Sequence, residues 1–141
     1  MDLSPIYNII CYALAAHNLA KDAHYHAKYN SFYGNHIFAD RLSDKWDDYI
    51  DELKEVFYLG NEVNTPESKQ ILKDTITLIP EITENTHENN LLLYKFFSDF
   101  HAQINTLRET YKMSYGEENL IGDIDQLVHN NKGLLWRATL G

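Results

Sequence analysis

Three stretches of this chain repeat apolar residues every three or four positions, over lengths that a helix accommodates and a strand does not. Ile6, Ile9, Ile10, Ala13, Leu14, Ala16 and Ala20 make a broad stripe, with Asn8, Asn18, Lys21 and Asp22 falling largely elsewhere. Leu92, Leu93, Phe96, Phe97, Phe100, Ile104 and Leu107 make a second, and Leu120, Ile124, Leu127, Val128, Leu134 and Leu135 a third. Only 6 Gly and 3 Pro interrupt 141 residues, too few for the short, turn-punctuated strands of an all-β fold. The expectation is an all-α protein. A chain of this length fits one domain, residues 1–141, able to bury about two thirds of the surface its unfolded form exposes.

The helix boundaries follow from local chemistry. Ser4-Pro5 opens the first helix, with Ser at the cap and Pro at the first helical position, where its missing N–H costs nothing. That helix is expected to run to about residue 29, followed by turn-forming residues 30–35 and a second, single helix over about 35–59, stopped by Gly60-Asn61. Thr65-Pro66 caps a short helix through Leu72. Thr75 to Ile79 alternates like a strand, but a lone strand has no partner, so the segment reads as loop or irregular helix ending at Pro80. Helices over about 88–115 and 117–140 complete a four-helix bundle with one long crossover, the short helix lying in the connection between helices two and three.

Charge and cysteine usage narrow the function. A net charge of -9 opposes approach to a polyanion, because nucleic-acid affinity comes largely from Lys and Arg displacing counterions from phosphates. The same balance suits a protein that gathers cations. The single Cys11, inside an apolar run, excludes an internal disulfide and fits a small core residue in a reducing compartment. No long uninterrupted apolar stretch suggests a membrane span, and the start, Met1-Asp2-Leu3-Ser4-Pro5, lacks the basic residues of a secretory signal. The expected location is cytoplasmic.

The chemistry-bearing feature is a set of metal-type ligands, His24, His36, Asp40, Asp51 and Glu55, spaced 12, 4, 11 and 4 residues apart. Residues four apart are vertical neighbours on a helix, so His36 pairs with Asp40 and Asp51 with Glu55. On one unbroken helix the step of 11 residues is close to three whole turns, which aims both pairs the same way but separates them by roughly 16 Å. Metal bonds to nitrogen and oxygen are about 2 Å long. One ion cannot span that gap. Either the pairs do different things, or they meet across an antiparallel two-fold interface, which by symmetry makes two sites.

The run His24-Tyr25-His26-Ala27-Lys28 through Phe32-Tyr33 to His36, then Asp40, Asp51, Glu55 and Leu59-Gly60, resembles the Dps family, the mini-ferritins named for DNA protection in starved cells. The likeness is sharp over residues 24–60 and looser elsewhere, although Arg137-Ala138-Thr139-Leu140-Gly141 also resembles the family's final helix. It implies a ferritin-like bundle, a hollow dodecameric shell, and ferroxidase centres shared by two subunits. His24, His36 and Asp40 would come from one subunit, Asp51 and Glu55 from its neighbour. It further implies that Fe(II) is oxidised, preferably by hydrogen peroxide, and stored as a ferric core, which removes both reagents of damaging radical chemistry. Imidazole and carboxylate donors suit Fe(II), and they also accept Zn or Mn. Members often carry Trp after the first ligand His, where this chain has Tyr25. DNA-binding members often carry Lys-rich arms, which this sequence lacks, so direct DNA binding is not expected.

Rival readings attach to the same residues. His36, Asp40, Asp44, Asp47, Asp51 and Glu55 would form a solvated acidic stripe if no metal bound, and the protein would then be a non-enzymatic helical shell or a DNA-compaction protein. Asp44, Asp47 and Asp48 are either mineral-nucleating acids facing a cavity or plain surface. Glu84-Asn85-Thr86-His87 matches a ferritin-type Glu-x-x-His motif, but only one copy exists, at a helix start. His17 and His26 could join a site, because His17 and His24 lie seven apart on one helix face, but the favoured reading of both is polar rim or a water contact. His101 and His129 read as core-edge or surface residues, Trp46 and Trp136 as packing residues, and Asp123 and Asp125 as helix-start acids or channel acids.

Overall fold

The computed structural model describes residues 2–26, 41–42 and 45–140, and among them it is entirely helical. The elements are α1 (Ser4–Tyr25), α2 (Trp46–Leu53), α3 (Ser68–Ile76), α4 (Thr86–Thr110) and α5 (Tyr115–Thr139). A π-helical turn, Lys54–Tyr58, and a 3-10 turn, Leu59–Asn61, extend α2. Helix α1 packs on α2, α3 and α4, α4 packs on α5, and α5 returns to α2. Those neighbours enclose one apolar core in a bundle-like arrangement.

The stripe on α1 is buried as its spacing requires, with Ile6, Ile9, Ala13, Ala16 and Ala20 fully covered. Three of these five are alanines, so neighbouring helices approach closely and the bulk of the core comes from the other side. Phe97 and Phe100 of α4 stack at 6.5 Å, and Trp46 sits against them at 6.0 and 5.4 Å. Burying an aromatic side chain of this size contributes about 2 to 3 kcal/mol. Helix α5 closes the core with Ile121, Ile124, Val128 and Leu135, whereas Leu134, expected to point inward, is exposed.

Helix ends show where sequence rules hold and where they bend. At α1 the cap is Leu3, not Ser4, and the Asp2 carboxylate accepts the Ser4 N–H at 2.9 Å. Pro5 occupies the first turn as expected. Helix α4 stops at Thr110, short of residue 115, because Tyr111 turns extended and its hydroxyl donates to Glu117 at 3.1 Å. Ser114 and Glu117 then form a reciprocal capping box for α5. The crossover holds α3, which ends four residues beyond the expected Leu72, and the alternating segment completes that helix and the turn after it instead of forming a strand.

The expectation of a single helix over 35–59 needs correction. Lys45 is left-handed, φ 71, and an α-helix of L-residues cannot pass through such a residue. The carbonyl of Leu42, ahead of the break, accepts from the Trp46 indole N–H at 2.8 Å and the Asn131 side chain at 3.3 Å. The far end also differs: Glu62, φ 59, is the left-handed residue that turns the chain, while Gly60 has an ordinary negative φ.

Candidate metal centre

His24 lies in the last turn of α1, half-buried, its ring edge-on to Tyr25 at 5.1 Å. Asp51 lies in the final turn of α2, and Glu55 inside the π-helical turn that follows; both are exposed. A π turn inserts a residue into the helical register and recurs at functional positions. Here it starts directly after the α-helical segment that carries Asp51. His36 and Asp40 lie outside the described residues, as does Asp44. Among the described residues, no three His, Cys, Asp or Glu side chains converge on one point as a metal cage would require.

The break at Lys45 lies between the two pairs in sequence and removes the unbroken helix on which the 16 Å separation was based. The acidic character of α2 survives it. Asp47, Asp48, Asp51, Glu52 and Glu55 are all exposed within three turns. Like charges at helical spacing cost a few tenths of a kcal/mol per pair, and Lys54 is the one basic side chain among them. Asp47 and Asp51 both line a groove of about 450 Å³ whose apolar wall is Leu14, Ile50, Ile71 and Leu72, with Lys54 on its rim. A carboxylate beside such a wall attracts cations more strongly than one in open water.

His17, seven residues before His24, faces the same part of α2. Its Nδ1 atom is buried without a hydrogen-bond partner and stands 3.8 Å from the Asp47 carboxylate. The relation was not legible in the sequence, because the turn at Lys45 decides which acids of α2 face α1.

Other candidate residues resolve into structural roles. Asp125 takes a hydrogen bond from Arg108 at 2.7 Å and sits 3.0 Å from His101 Nδ1, tying α4 to α5, so it is no free channel acid. Burial would raise its carboxyl, but Arg108 and His101 outweigh burial and hold it below the usual carboxylate range. Asp123 is exposed, as is His129. Glu84 to His87 straddles the start of α4, where Asn85 accepts the Glu88 N–H at 3.1 Å. His26 Nδ1 sits 2.8 Å from the Asp22 carbonyl. Trp46 packs in the core as expected, but Trp136 is 53% exposed and does not.

No family model, curated protein or solved structure matches the chain. No helix among the described residues is long and apolar enough to cross a membrane.

Proposed function

We propose that the chain is a mini-ferritin subunit: a ferritin-like four-helix bundle that assembles with copies of itself, most simply twelve, into a hollow shell. Iron is its substrate and cargo. Two Fe(II) ions each give one electron to hydrogen peroxide, its O–O bond breaks, and the Fe(III) product hydrolyses to a ferric oxyhydroxide with release of protons. The observation that carries the reading is Asp51 and Glu55, one turn apart, exposed, and built into the junction between α2 and its π turn. Alone they are half a site. His24, His36 and Asp40 of a second subunit supply the imidazoles that a mixed nitrogen–oxygen iron site uses.

In this reading Asp51 and Glu55 favour the Fe(III) product through their charge, and the imidazoles of His24 and His36 fix the ion's position. The acidic face of α2 concentrates Fe(II) beforehand. Removing iron and peroxide together is what protects against oxidative damage. The test loads Fe(II) anaerobically, adds peroxide, and follows ferric absorbance in wild type and in the Asp51→Ala/Glu55→Ala double variant. Rapid oxidation confined to wild type supports the reading. Equal rates would leave the acidic face as solvated surface and the shell without enzymatic activity.

A further inference from the structure

We propose that His17 of α1 and Asp47 of α2 hold a divalent transition-metal cation, as a second station distinct from the five-ligand set. The structure places a buried, unpartnered imidazole nitrogen, His17 Nδ1, 3.8 Å from Asp47 Oδ1. A direct N–H···O bond needs about 2.7 to 3.2 Å, so the two groups do not satisfy one another. Two ligand atoms each about 2.1 Å from a shared ion stand roughly 3 to 4 Å apart, which is the separation found.

His26, the cap residue after α1, sets its Nδ1 2.8 Å from the Asp22 carbonyl four residues back. His17 does not, and its nitrogen faces the other helix instead. Its side chain is 26% exposed and that of Asp47 is 71% exposed, so the carboxylate is open to ions from solvent while the imidazole is sheltered. A nitrogen–carboxylate pair selects borderline transition cations, Fe(II), Zn(II) or Co(II), over hard ions such as Mg(II). With two protein donors the remaining positions belong to water, which leaves the ion exchangeable. Asp47 is also one turn from Asp51 along α2 and shares its groove. If the ferroxidase reading holds, an ion released from His17 and Asp47 has one helical turn to travel to reach the oxidising site.

Redox-silent Zn(II) separates this station from iron oxidation. Isothermal titration of Zn(II) into the full chain is expected to show an equivalent per chain that His17→Gln and Asp47→Asn each weaken at least tenfold, while Asp51→Ala/Glu55→Ala retains it. The His17 Nδ1 resonance in a long-range 1H–15N spectrum is expected to shift as that equivalent fills. Unchanged stoichiometry and affinity in both single variants, or an unmoved Nδ1 resonance at saturating Zn(II), would overturn the proposal. Neither outcome bears on the Asp51 and Glu55 site. Asp47→Asn, at an exposed position, keeps the test valid should His17→Gln fold poorly.

Discussion

The indole N–H of Trp46 donates to the carbonyl of Leu42 at 2.8 Å, across the left-handed residue that separates them in sequence. One side chain thus fills the aromatic core and satisfies a carbonyl next to a helix break. The break sets the direction in which α2 leaves, and so the face on which Asp47 and Asp51 stand.

Lys45→Gly is expected to stabilise the chain by about 1 kcal/mol, because glycine adopts a left-handed φ without the steric cost a side chain incurs. Trp46→Phe is expected to destabilise it by about 2 kcal/mol through the lost donor and the void left by the smaller ring. Urea denaturation at neutral pH measures both. A loss of stability in Lys45→Gly would contradict the assigned backbone.

Acid is expected to loosen the α4–α5 pair. The Asp125 carboxyl is held below its ordinary value; burial opposes this, and the bonds to Arg108 and His101 outweigh it. A depressed carboxyl contributes stability that is full above the unfolded value near 4 and is lost as pH falls through the lower folded value. Asp125→Asn should therefore lower stability at neutral pH by about 2 kcal/mol and flatten its decline below about pH 4. Thermal melts across pH 2.5 to about 7 read the difference; parallel curves for variant and wild type would refute the linkage.

In the first turn of α5, Glu117 accepts from the Ser114 N–H at 2.8 Å and from Asn61 and Tyr111, both at 3.1 Å. These bonds bring its carboxyl below the ordinary range despite burial. Glu117→Ala removes three hydrogen bonds at once and is expected to cost about 3 kcal/mol, against about 1 kcal/mol for Ser114→Ala, which removes the cap alone. Chemical denaturation of the two variants ranks them. The reverse order would show that the cap, not the cross-connection to the turn after α2, secures this end.

Period and capping chemistry made most of the helices legible beforehand. The stripes on α1 and α4 read true because burial enforces them, and the expected start of the last helix, about residue 117, lies within two residues of Tyr115. What failed was the continuity of one helix. No Gly or Pro adjoins Lys45 to mark the break, and one partner of the carbonyl ahead of it, Asn131, lies 89 residues from Leu42. The far end misled in the opposite sense, with Gly60 suggesting the left-handed position that Glu62 takes. Leu134, placed in a helical stripe, and Trp136, read as a packing residue, both stand at the solvent edge of α5, where period alone does not separate core from rim. Of the five ligand positions, the structure locates His24, Asp51 and Glu55. Asp51 and Glu55 are exposed, and the site proposed for them needs donors from a second chain.

Subunit complementation tests that sharing most directly. One inactive variant lacks the imidazole side, His24→Ala/His36→Ala, and the other lacks the carboxylate side, Asp51→Ala/Glu55→Ala. Unfolded together and reassembled, the mixture contains interfaces with one intact set of donors from each chain. Peroxide-driven Fe(II) oxidation should return in the mixture while each variant assembled alone stays inactive. A mixture as inactive as its components, in assemblies shown by mass to contain both chains, would contradict a site built by two molecules.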